Sequence, residues 1–219
     1  MTIKTYYKYR KDVLYKHIFL PSCAPPEFYD LQYLCNAIDN SESRRDARTA
    51  REFVGSLPNE LPLSELQKIV RDFVRENFVL HGLCAVTAIH EGRNEADRSK
   101  NNPHVHIIVP TREVKSDSFG NNNREPDDRK YINIRRKHWA DLQNQAYERN
   151  DLDIRISHLS LEAQGMDREP LSHLTPADFR REKRGERTLA GDRKREIKER
   201  NEVRLRDERD RERTIDFER

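Results

Sequence analysis

Apolar and polar positions alternate along this chain with two different periods. In NNPHVHIIVPTR, residues 101–112, Val105, Ile107, Ile108 and Val109 are β-branched, and the stretch reads as a strand. Pro103 suits its start. Successive strand side chains point to opposite faces, so His104 and His106 share one face, with Val105 and Ile107 on the other. LCAVTAIHEG reads as a second strand, ending at His90. ARTAREFVGSLP reads as a third, stopped by Pro58, and the first 21 residues read as extended up to Pro21. A helical period takes over elsewhere. Phe28, Leu31, Leu34, Cys35 and Ile38 form one apolar stripe, with Pro25–Pro26 at its start. Leu66, Ile69, Val70, Phe73 and Val74 form a clearer one, with Ser64 as N-cap, Gln67 three residues on, and Gly82 as the stop. RRKHWADLQNQAYERN reads as a helix with Trp139, Leu142 and Ala146 inward. Residues 115–130 read as a loop, and DIRISHLSLEAQG as holding a last short strand.

The predicted order is strand, helix, strand, helix, strand, strand, helix, strand. The two histidine-bearing strands are consecutive, so an antiparallel hairpin is expected. The fold class that follows is α+β, an antiparallel sheet with helices packed on it.

Composition limits how much of the chain is core. Charged residues make up 37% and hydrophobic ones 34% of 219 residues, so part of the chain must lie outside a core. From about Asp178 the sequence is charge-dense with mixed signs, which predicts a folded domain over 1–177 and a charged, partly helical or disordered tail over 178–219. The formal net charge of +3 is too small to imply a nucleic-acid partner by itself, so any such surface must come from local clusters. YYKYRK and RKHW interleave basic and aromatic residues in the manner of phosphate contacts and base stacking. Cys23, Cys35 and Cys84 are too scattered for a disulfide framework or a CxxC metal site and read as buried free thiols. No apolar run reaches the roughly 18 residues of a membrane helix, and no signal peptide is evident. A cytoplasmic protein with no membrane partner is expected.

The histidines carry the candidate chemistry. In a hairpin, the end of one strand faces the start of the next, which brings His90 beside His104 and His106. Three imidazoles with open positions are the usual arrangement for a catalytic metal. An all-nitrogen set favours Zn²⁺ or Ni²⁺ by affinity, while phosphate oxygens would make Mn²⁺ or Mg²⁺ workable. Two histidines on a solvated strand face are otherwise ordinary surface residues.

AREFVGSLPNEL, NNPHVHIIVPTR and RISHLSLEAQGMDREPLSHL, in that order along the chain, resemble three motifs of the MobA/MobL plasmid mobilisation relaxases, within the HUH endonuclease class. The resemblance runs over roughly residues 6–190. It implies site- and strand-specific nicking of origin-of-transfer DNA by metal-assisted tyrosine transesterification, with His90, His104 and His106 as ligands of a divalent ion, Mn²⁺ or Mg²⁺ first. Glu52 matches an acidic residue beside that site, where a carboxylate accepting an imidazole N–H would orient a ligand. Accessory mobilisation proteins are implied as further partners. Ser157, His158, Leu159 and Ser160 depart from the family's third block, and the loop from His90 to His104 is long. The family's nucleophile segment has no counterpart, and the chain is expected to start after it. TYYKYRKDVLYKHIFLP resembles a later family segment, so Tyr6, Tyr7, Tyr9 and Tyr15 stand outside the nucleophile motif. Tyr7 is the weak nucleophile candidate.

Two other readings stand beside this one. One is a non-cleaving single-stranded DNA-binding protein that retains the relaxase fold. The other is a three-histidine hydrolase of a small phosphoester, with water as nucleophile.

Overall fold

The computed structural model describes residues 12–217 apart from 43, 45, 95 and 96, with the backbone alone described at 98 and 208–217. Strands β1 (Val13–Phe19), β2 (Ala50–Ser56), β3 (Ala85–His90) and β4 (His104–Pro110) make one sheet in the order β1-β3-β4-β2. Every neighbouring pair is antiparallel, including the expected β3–β4 hairpin. All six residues of β3 are buried, which is why its sequence is apolar up to His90 but for Thr87, whose hydroxyl donates to the His17 carbonyl.

Register assigns the two faces. Cross-strand partners lie on the same side of a sheet. Ala85, Ile89, Val105, Ile107 and Val109 look toward α2 (Leu63–Asn77) and α3 (Arg129–Arg149), meeting Leu66, Ile69, Val70, Phe73, Val74, Leu142 and Ala146 in the larger core. Each of the Val, Leu, Ile and Phe side chains there stabilises the fold by about 1.5–3 kcal/mol through burial, as an upper bound. On the other face, Ile18, Val86 and Ile108 form one row under α1 (Leu31–Asn40) and pack with Phe28, Leu34 and Ile38. Among the described residues, this cover lies over the Ile18–Ile108 end of that face. The histidines lie toward the other end.

Several sequence expectations change. Residues 1–11 lie outside the described ones, so the extended reading applies from β1 onward. The N-cap of α2 is Pro62, not Ser64, and Ser64 sits inside the first turn. Leu63 packs on the larger core, which draws the helix start forward. Residues 115–130 are not a plain loop. They hold β6 (Phe119–Asn122), paired with β5 (Arg112–Val114), a short hairpin anchored by buried Val114 and by Phe119 stacked on Phe28 at 5.1 Å. The last strand does not form. Segment 152–158 runs along α3, where the Asn144 side chain bonds both the N–H and the carbonyl of Ile156 at 2.9 Å. Of the three cysteines, only Cys84 is buried; its thiol is pushed up to about 12 by desolvation. Cys23 is exposed in the turn after β1.

The chain divides into two compact units, Met1–His158 and Leu159–Arg219. The second holds α4 (Pro176–Lys183) and α5 (Leu189–Phe217). Thr175 caps α4 by accepting from the Asp178 N–H. Gly185 turns the chain at φ 84°, in the left-handed region, and Glu182 then accepts from the Thr188 N–H, the Thr188 hydroxyl and Arg195. Those bonds, Arg195 first, hold the Glu182 carboxyl at about 2. No helix among the described residues is long and apolar enough to cross a membrane.

Candidate metal centre

β3 and β4 bring His90 and His104 into direct register, and His106 follows two residues along β4. All three imidazoles therefore share one sheet face. Their ring centroids are 5.4 Å (His90–His104), 5.1 Å (His90–His106) and 5.2 Å (His104–His106) apart. His90 is fully buried.

Each ring meets an oxygen at Nδ1. The His104 Nδ1–H donates to the Asn102 carbonyl at 2.7 Å, and the His106 Nδ1–H to Glu52 Oε1 at 2.7 Å. His90 Nδ1 lies 3.3 Å from Asp12 Oδ1. A carbonyl or carboxylate oxygen can only accept, so these contacts assign the proton to Nδ1 and the lone pair to Nε2. Burial pushes the His90 imidazole below its ordinary range, against the Asp12 contact, which raises it. The neutral form of His90 is the one that can ligate.

Among the described residues, no group of three or more His, Cys, Asp or Glu side chains is placed to hold a metal ion. The ring spacing nevertheless suits an ion. Imidazole nitrogens bind at about 2.0–2.1 Å, which puts neighbouring ring centroids about 5.2 Å apart at tetrahedral angles. The three observed separations match that value, and each Nδ1 has the kind of oxygen partner that orients a metal-bound imidazole. Three imidazoles are a donor set of the kind that holds a divalent ion, although the described side chains do not themselves form such a site.

Glu52 lies on β2 with its carboxylate against His106. Sequence reasoning missed Asp12 and the Asn102 carbonyl. Asp12 becomes visible only through the pairing of β1 with β3, in which the Glu91 N–H donates to the Asp12 carbonyl at 2.8 Å. Lys16 was missed for the same reason. Lys16, Ala88 and His106 are cross-strand partners in one row, so the lysine shares the histidines' face. The methyl group of Ala88 keeps the floor between them low.

The tyrosines divide. Tyr6, Tyr7 and Tyr9 lie outside the described residues. Tyr15 packs against the larger core, on the sheet face opposite the histidines. Of the two basic–aromatic segments, YYKYRK is also outside the described residues. In RKHW, Lys137 pairs with Asp141, and His138 lies between Asn77 and Glu76.

Comparison with known proteins agrees with this architecture. A chain in a solved structure described as "Molecular Basis of Vancomycin Resistance Transfer in Staphylococcus aureus" superposes with a TM-score of 0.60 at 28% identity, over 68% of this chain and 77% of that one. It shares the α+β arrangement of antiparallel sheet and packed helices. The "Probable mobilization protein MobA" of Bifidobacterium longum is 31% identical over 214 residues, covering 78% of this chain and 36% of that protein. The "Conjugal transfer protein TraA" of Rhizobium radiobacter is 26% identical, covering 77% of this chain and 18% of its own length. The "Mobilization protein A" of Escherichia coli is 30% identical, covering 68% and 23%. The chain thus spans little more than a third of the first of these relatives and under a quarter of the other two. The MobA/MobL family model matches residues 2–184, most of the sequence, and the chain belongs to the MobA/MobL family.

Proposed function

We propose that this chain is the DNA-processing part of a plasmid mobilisation relaxase, working in the cytoplasm on the single strand of an origin of transfer, with accessory mobilisation proteins as partners. The observation that carries the reading is the set of three imidazoles on one sheet face, each with Nδ1 against an oxygen. In this reading His90, His104 and His106 hold a divalent ion, Mn²⁺ or Mg²⁺ first, through Nε2. When bound, the ion polarises a phosphodiester oxygen as a Lewis acid. The chain's own residues do the rest. Glu52, Asp12 and the Asn102 carbonyl fix the tautomer and direction of the rings. Lys16, in the same row as His106, offers an ammonium to a non-bridging phosphate oxygen.

Strand transfer needs a phenol. Its oxygen bonds to phosphorus as the P–O3′ bond breaks; the phenol gives up its proton and the released O3′ gains one. The reverse reaction rejoins the strand. Tyr7 is the candidate for that role. Tyr15 faces away from the histidines, which favours a second reading, a single-stranded DNA-binding protein that retains the relaxase fold without cleaving.

Two measurements test these readings. Calorimetry with Mn²⁺ should give about one site per chain, lost in His104→Ala/His106→Ala; unchanged stoichiometry in that double variant removes the metal centre. A denaturing gel of the protein with labelled origin-strand oligonucleotide and Mn²⁺ then separates cleavage from binding. A covalent adduct lost in Tyr7→Phe supports transesterification by this chain, whereas tight binding without an adduct supports the second reading.

A further inference from the structure

β2 is an edge strand, and beyond its free edge lies a cleft of about 480 Å³. Glu52, Phe53, Arg135, Arg136, Trp139 and His158 are among the residues lining it. That volume lies within the roughly 300–1,000 Å³ of small-ligand sites. Glu52 belongs to both places. Its Oε1 is 2.7 Å from His106 Nδ1, and the same side chain lines the cleft. The cleft therefore begins where the histidine cluster ends.

The walls are aromatic and cationic. Trp139 is clamped: its Nε1–H donates to the Ser56 carbonyl at 3.1 Å, and its ring meets Phe73 edge-on at 4.9 Å. A Cβ on Gly55 would stand 2.6 Å from the indole, so glycine is what lets the ring lie against β2. Arg135 is only 7% exposed and lies near the rings of Phe53, Phe78 and Tyr131. Its Nη1 donates to the Pro126 carbonyl, but among the described residues its buried Nε has no hydrogen-bond partner. Arg136, exposed on α3, adds a second guanidinium. Glu52 is the one carboxylate among the lining residues, and it is engaged with His106.

A rigid indole, a phenyl ring and two guanidiniums suit a flat π-system joined to a phosphate. We propose that this cleft receives one unpaired nucleobase of the DNA strand, the base next to the phosphate held at the histidines. The proposal rests on the reading that the chain binds a single strand at that site, and it adds the residues that hold the neighbouring base. Val54, 60% exposed and paired with His106, forms the step between the two places.

Trp139 is the only tryptophan in the 219 residues, so its emission reports on the surroundings of that one indole, which lines this cleft. The full chain with Mn²⁺ is titrated with a fluorescein-labelled origin-strand oligonucleotide, read by anisotropy, and with the unlabelled strand, read by Trp139 emission. The same titrations use a strand of equal length made only of abasic units, which keeps every phosphate and no base. The normal strand should quench Trp139 at saturation. The abasic strand should bind at least about 5- to 150-fold more weakly, the effect of one lost stacking contact, and should not quench. Trp139→Ala should weaken binding of the normal strand to the same degree. Should that variant misfold by circular dichroism, Arg136→Ala on the exposed helix face serves instead, weakening binding several-fold while quenching at saturation persists. Tight binding of the normal strand with unchanged Trp139 emission overturns the cleft assignment and leaves the DNA-binding reading standing. Failure of any strand to bind by anisotropy removes both.

Discussion

Replacing Glu52 with alanine separates a ligand-orienting carboxylate from a structural one. Glu52 accepts from His106 Nδ1 at 2.7 Å, and its side chain is 51% exposed against 12% for His106. A pair this open to water contributes less than about 1 kcal/mol to folding. Folding stability of the metal-free protein should therefore change by no more than that. Metal affinity should change far more. Without the carboxylate, the His106 ring can turn and its proton can move to Nε2, the nitrogen that would bind the ion. Loss of such an outer partner costs about 10–100-fold in affinity, or about 1.4–2.8 kcal/mol. Glu52→Gln keeps an acceptor oxygen, so it should fall between the wild type and alanine. Mn²⁺ calorimetry on the three proteins, with thermal melts of the metal-free forms, reads both quantities. A large drop in melting temperature with unchanged Mn²⁺ affinity in Glu52→Ala would refute the orienting role.

Two further outcomes follow from the same geometry. Lys16→Met should weaken single-stranded DNA binding and lower the slope of log affinity against log salt by about one, with Mn²⁺ affinity unchanged; an identical salt slope would place Lys16 away from phosphate. Asp127 accepts from Arg51 at 2.7 and 2.9 Å and also pairs with Arg48; the Arg51 bonds chiefly hold its carboxyl below the usual range. Its stabilising contribution is thus full above the unfolded value of about 3.9 and is lost as pH falls through the lower folded value. Asp127→Asn should cost about 1–3 kcal/mol at pH 7 and narrow the gap to wild type in acid, a trend that urea melts at pH 7 and pH 3 can check.

The elements readable from the sequence are those whose pattern and packing agree. β4 alternates because one of its faces meets α2 and α3 while the other carries His104 and His106. α2 shows a clean apolar stripe because five of its side chains enter one core. The hairpin of β5 and β6 was not readable. Its strands are three and four residues long, and Gly120, Asn121 and Asn122 carry no strand preference; Val114 and Phe119 hold it through contacts distant in sequence. The absent last strand fails for the opposite reason. Ile154 and Ile156 have strand-like composition, but Asn144 takes the backbone groups that a sheet neighbour would have used. At the site, the three histidines were legible because strand alternation and hairpin order locate them, and Glu52 only through the family resemblance. Asp12 and Lys16 were not, because β1 joins β3 across some seventy residues of sequence, and register at that distance is set by packing.

The sheet's second face divides between an apolar end and the end that carries the histidines. One end of that face is covered by α1 over the row of Ile18, Val86 and Ile108; at the other, His90 is fully buried and His104 and His106 are partly buried. The imidazoles stand on β3 and β4, the two inner strands, each held by a neighbour on both sides. Their spacing depends on the hairpin register rather than on any loop. The two edge strands contribute the adaptable groups, Lys16 from β1 on one flank and Glu52 with Val54 from β2 on the other. This arrangement predicts an order of sensitivity. Substitutions on β3 or β4 at the histidines should abolish metal binding outright. Those at Lys16 or Glu52 should grade it or leave it intact while altering how DNA is held. If Lys16→Met removed Mn²⁺ binding as completely as His104→Ala, that separation between a fixed centre and adaptable flanks would be wrong.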